Sequence, residues 1–137
     1  MRGDLLEPRW LEPRVARSAS ELAEVTGWIH DLHFEVDGIA YEPGAGTVTI
    51  PLILPEEREG WFGIITARKG TEVAGVLVIE HVTGVVIEDT AQAEDYDIDE
   101  VVVQESAGGT QVELRACIPF VMTCDVSALT VRLEPKR

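Results

Sequence analysis

The sequence predicts a mainly β protein: an antiparallel β-sandwich or partly open barrel of about eight strands, with one N-terminal α-helix. Three observations carry this. Helical spacing of apolar residues occurs once, between Ser18 and His30. From Leu32 onward the pattern is alternation of period two, broken by short glycine- and proline-rich turns. No second helical stretch separates pairs of strands, so parallel βαβ units are excluded.

The elements follow in chain order. Residues 1–17 read as an extended arm. Leu-Glu-Pro-Arg occurs twice, at Leu6–Arg9 and Leu11–Arg14, and each proline holds the residue before it extended. Arg2, Arg9, Arg14 and Arg17 make this arm the most arginine-dense part of an otherwise acidic chain. Arg9, Trp10, Leu11 and Arg14 are therefore the candidate interface residues, able to lie on the acidic body of the same chain or of a neighbour. The ordered domain is expected over residues 18–134, with 135–137 as a tail.

Ser18 followed by Glu21 is a capping box: the hydroxyl accepts from the backbone three residues on, and the glutamate reaches back to the cap's own N–H. Leu22, Val25 and Ile29 then share one helical face, so a helix is expected from about Ala19 to about His30. Gly27 weakens it by about 1 kcal/mol relative to alanine. Leu32, Phe34 and Val36 alternate with His33, Glu35 and Asp37, which predicts a half-buried strand, with a bulge near Gly38. Thr47–Leu54 is the next strand, where Pro51 points to an edge or a bulge. Glu56–Gly60 reads as a polar connection, and Arg68–Thr71 as a hairpin turn between Trp61–Ala67 and Glu72–Glu80. His81–Glu88 and Ile98–Glu105 are further strands around an acidic loop. Ala107–Thr110 is a second hairpin turn. In Gln111–Ile118 the residues Val112, Leu114, Ala116 and Ile118 are expected to face inward, and Phe120–Leu133 to supply one long strand or two short ones.

Composition bounds the function. Of 137 residues 45% are hydrophobic, enough for a core, and 25 acidic against 11 basic residues give a formal net charge of -14. Such a chain repels phosphate backbones, so nucleic acid and anionic membrane are not expected partners. The start of the chain has no apolar signal segment and no apolar run is long enough to span a bilayer, so a cytoplasmic setting is expected. Cys117 and Cys124 are too few for a disulfide scaffold and fit no zinc spacing; a bond between them stays open.

His30-Asp31-Leu32-His33 is the sharpest cluster. Two imidazoles at i and i+3 can ligate one metal, with His81, Glu80 or Glu35 as third ligand. The structural alternative makes Ser18, Glu21, His30 and Asp31 a junction that delivers the helix into the first strand, with His30 complementing the helix C-terminus and Asp31 accepting backbone N–H groups. Asp95, Asp97, Asp99 and Glu100 can be read as a calcium loop or as a solvated strand face; the pattern lacks the glycine and glutamate of an EF-hand. No serine sits in a nucleophile elbow and no glycine turn precedes a helix, so no catalytic residues and no cofactor are assigned.

His30-Asp31 with the strand after it, together with Val78-Ile79-Glu80-His81-Val82 and Val85-Val86-Ile87, resembles a bacterial group of small β-rich proteins. Some of that group are classed provisionally as toxin-immunity proteins. The resemblance covers residues 28–133 and implies a compact binding or structural protein with no catalytic residues to carry over. Ile79 stands where that group has an aromatic residue. The function expected is a non-enzymatic β-domain acting through protein contacts, by self-association or with a basic protein partner. The alternative is a small metal- or ligand-binding barrel built around His30 and His33.

Overall fold

The computed structural model describes residues 12–59 and 65–136. Its elements are β1 (Arg14–Ala16), α1 (Ala19–Ile29), β2 (His33–Glu35), β3 (Ala40–Glu42), β4 (Thr47–Glu59), β5 (Ile65–Ile79), β6 (Val82–Glu88), β7 (Asp95–Ser106), β8 (Gly109–Ala116), β9 (Val121–Val126) and β10 (Val131–Pro135). All ten strands join one antiparallel sheet in the order β1-β10-β5-β4-β2-β7-β8-β9-β6, with β3 on the flank of β4. Among the described residues the sheet does not close on itself. The fold of the described residues is thus mainly β with a single α-helix, as the sequence predicts, but with ten strands. Among the described residues no helix is long and apolar enough to cross a membrane.

One core runs through both halves of the sheet. Leu22, Val25 and Ile29 of α1 pack with Val48, Ile50 and Leu52 of β4, Leu77 and Ile79 of β5, Ile98 and Val101 of β7, and Val112 and Leu114 of β8. The period-two alternation of β4 and β8 is what turns these residues to one face. Phe34, Tyr96 and Phe120 form an aromatic trio at its centre, with ring centroids 4.8, 5.2 and 5.9 Å apart.

Several local expectations are corrected. The strand after the helix stops at Glu35, and Val36–Gly38 form a 3-10 turn instead of a bulged continuation. His33 is buried, flanked on its own face of the sheet by its cross-strand partners Ile53 of β4 and Asp97 of β7. Glu56–Glu59 belong to β4, and Arg68–Thr71 lie inside β5: Arg68 sits opposite Glu56 and Lys69 opposite Pro55. Between the pairs Ile53/Val73 and Pro55/Lys69, the β5 side carries two residues more than the β4 side. The Gly70-Thr71 breaker signal is therefore a bulge and not a turn. Trp61 lies outside the described residues. Ile118, expected inside, is 49% exposed, since β8 ends at Ala116.

Two close approaches explain special residues. Pro51 falls where β4 changes neighbour from β3 (ending at Thr49) to β2 (beginning at Ile53), so no ladder bond is lost on that side. Gly75 sits under β10, where an added Cβ would lie 2.6 Å from the Glu134 carbonyl oxygen. Among the described residues of the arm, Arg14–Ala16 are a strand, paired to β10 with Arg14 opposite Leu133.

Candidate functional site

The helix–strand junction comes first, because the sequence singles it out. Ser18 caps α1, its Oγ accepting from the Glu21 N–H at 3.2 Å. The Glu21 carboxylate reaches one residue further back than expected and accepts from the Arg17 N–H at 2.8 Å. At the other end the His30 N–H donates to the Thr26 carbonyl at 2.9 Å. Asp31 then takes a left-handed conformation, φ 72°, which turns the chain out of the helix. Its backbone N–H donates to Ile98 of β7 at 2.9 Å, and Ile98 donates back to Leu32 at 2.8 Å. Asp31 thus locks the turn as a backbone donor, whereas its carboxylate lies 3.4 Å from His30 Nε2.

His30 Nδ1–H donates to the Asp99 carbonyl at 2.8 Å. That bond, with the Asp31 and Asp99 carboxylates nearby, raises the imidazole pKa above its ordinary value against a smaller opposing effect of burial. His33 Nε2 lies 3.1 Å from Asp97 Oδ1. His81 stands elsewhere, in a left-handed conformation (φ 59°) at the corner between β5 and β6, where its carbonyl accepts from the Ser127 N–H. Glu80 beside it is engaged by Arg132. Each histidine therefore has its own surroundings, and among the described residues no group of three or more His, Cys, Asp or Glu side chains is placed to hold a metal ion. The Asp95–Glu100 run forms the start of β7 and gathers no such group either.

The cysteines do not meet. Cys124 is opposite Val112, and Cys117 lies five residues beyond Val112, on the order of 15 Å along the strands. A disulfide needs Cα atoms within about 7 Å. Both thiols are free. Burial pushes Cys124 up to about 12, and burial plus Asp99, Asp97 and Asp31 raise Cys117, so both stay protonated near neutrality. Neither is poised as a nucleophile.

Of the interface candidates, Arg9, Trp10 and Leu11 lie outside the described residues. Arg14 stacks its guanidinium over Trp28 of α1 at 4.3 Å, a cation–π contact that ties β1 to the helix.

Two features had no signal in local sequence. Thr26, in mid-helix, brackets one peptide unit of β7: its Oγ1 donates to the Val101 carbonyl at 2.8 Å and accepts from the Val101 N–H at 3.1 Å. This side chain takes the place of a neighbouring strand at that point. The second feature is β6. Among the described residues it pairs with β9 on one side and with no strand on the other, where its first N–H, that of Val82, donates to the Gly46 carbonyl at 2.8 Å. Val86 is 58% and Ile87 42% exposed on this strand. β1, at the other end of the sheet, and β3, on the flank of β4, are three residues long, whereas β6 has seven; β4 beyond Ile53 and β7 beyond Asp97 also run past the short β2, and there Thr26 of α1 meets β7. The β6 edge has an irregularity between Val82 and Gly84 and a charge at Glu88, but between them Val85–Ile87 carry no charge, lysine or proline to blunt strand pairing.

Comparisons with protein-family models, with characterised sequences and with solved structures return no significant match for this chain.

Proposed function

We propose that this protein is a non-enzymatic β-domain that acts through protein–protein contacts, and that the open edge of β6 is its contact surface. The observation that carries this is that, among the described residues, β9 is the one strand paired with β6, while Val86 and Ile87 stay exposed. An edge strand offers unpaired N–H and C=O groups, and an extended segment that adds there gains main-chain hydrogen bonds together with burial of alternate side chains. Ile87 faces the same side as Val85 and the buried Met122, its partner on β9, so an added strand would extend the existing core. Self-association is one form of this reading, since a second copy supplies an identical edge. The resemblance in the segments around His30-Asp31 and Val78–Ile87 supports the same class of protein.

Amide hydrogen exchange on full-length protein, with the mass read in parallel by light scattering, tests the reading. In a monomer, alternate amides between Thr83 and Glu88 should exchange far faster than those of β8 and β9. In an oligomer they should be protected, and Val86→Lys should release both the mass and the protection. A monomer whose β6 amides are all protected would sink the proposal, because the edge would already be covered by the chain itself.

A further inference from the structure

We propose that the segment received by β6 is a basic strand from a different protein, a proposal that rests on the edge reading above. Charge is segregated along this chain. Between Gly70 and Val131, which includes β6, β7, β8 and β9, the only lysine or arginine is Arg115. That one cation is already committed: Nη2 lies 3.0 Å from Glu113 and Nη1 3.1 Å from Glu100. The half of the sheet that ends in β6 therefore presents acid with no free arginine or lysine among its described side chains.

One carboxylate stands on the edge strand and a second beside it on β9. Glu88 closes β6 and is exposed. Asp125 of β9 lies opposite Gly84 and is exposed, and its Oδ2 would be 3.3 Å from a Cβ added at Gly84. A side chain at position 84 would push that carboxylate back; glycine lets it lie over the edge strand. Its other oxygen is held by Gln111 Nε2 at 2.8 Å, which fixes its place. Val86, between these two positions on the same face, supplies the apolar contact. A strand alternating basic and apolar residues matches this row, with cations near Asp125 and Glu88 and an apolar side chain over Val86. A second copy matches it less well, for it brings its own Glu88 and Asp125 to the same edge on a chain of net charge -14.

The test uses full-length protein and two synthetic seven-residue strands, one alternating lysine with valine and the other glutamate with valine, followed by fluorescence anisotropy. The lysine strand should bind at least about tenfold tighter at low salt, and the difference should shrink at high ionic strength. Glu88→Gln with Asp125→Asn should weaken the lysine strand several-fold and leave the fold intact by circular dichroism, and Val86→Pro should abolish its binding. Equal affinity for both strands would overturn the basic-partner inference and leave the edge reading standing. Lysine-strand binding that survives Val86→Pro would place the contact elsewhere and overturn it too. A stable dimer that Val86→Lys dissociates would make a second copy the occupant. Binding of neither strand, with the β6 amides protected in a monomer, would overturn the edge reading itself.

Discussion

Replacing Thr26 with valine removes a hydroxyl and keeps the shape. The hydroxyl now satisfies both the N–H and the C=O of Val101, at 3.1 and 2.8 Å, in a part-buried setting between α1 and β7. Valine and threonine have similar helix propensities, so the substitution isolates the two hydrogen bonds. A buried group left without a partner costs about 1–3 kcal/mol, and two such groups set an upper bound of about 6 kcal/mol. Water reaches a part-buried site and recovers some of this, so Thr26→Val should cost about 2–3 kcal/mol. Thr26→Ser keeps the hydroxyl and loses one methyl group, about 0.8 kcal/mol. Urea unfolding at unchanged m-value reads both variants. If Thr26→Val costs no more than Thr26→Ser, the hydroxyl does not pin the helix to the sheet and this account of the junction is wrong.

Other outcomes follow from the same contacts. His30 has a folded pKa above its unfolded one, so its contribution is complete below about pH 6.5 and is lost as pH rises through the folded value. The stability gap between wild type and His30→Gln should therefore be widest in mild acid and close at alkaline pH; a gap that widens with rising pH would reverse the assigned sign. Gly75→Ala should destabilise by about 3 kcal/mol, since the new Cβ meets backbone and not a movable side chain; a neutral effect in thermal unfolding would mean that β10 does not lie so close. A thiol reagent at pH 8 should modify Cys117 slowly and Cys124 only after unfolding, because Cys117 is exposed and Cys124 buried; two equally fast thiols would contradict the placement of β9.

The parts of the fold that local pattern controls were legible. The capping residue Ser18, the helix to Ile29, the turn at Ala107–Gly108 and the inward set Val112 and Leu114 all follow from spacing and turn chemistry. What failed depends on neighbours far away in sequence. Arg68–Thr71 has the composition of a turn, yet the partner strand carries on past it and makes it a bulge. His33 alternates as an outward residue, yet the side chains of its cross-strand partners Ile53 and Asp97 flank and bury it on that face. The candidate site shows the same division. His30-Asp31 was visible as a junction, but its partners Ile98 and Asp99 are contributed by β7, nearly seventy residues on. Thr26 reads as an ordinary helical residue because its ligand is a distant peptide unit. Val82–Glu88 reads as an ordinary strand because being last in a sheet is a property of topology, not of seven residues.

The central claim is that β6 is an open edge that receives another chain. Isotope-labelled protein titrated with the alternating lysine–valine strand tests it most directly, by following every backbone amide. The account predicts that the amides from Thr83 to Glu88 shift and alternate ones become protected from exchange, while those of β1 and α1 stay unchanged. Shifts centred on α1 or β1, or a titration that leaves Thr83–Glu88 untouched, would contradict it.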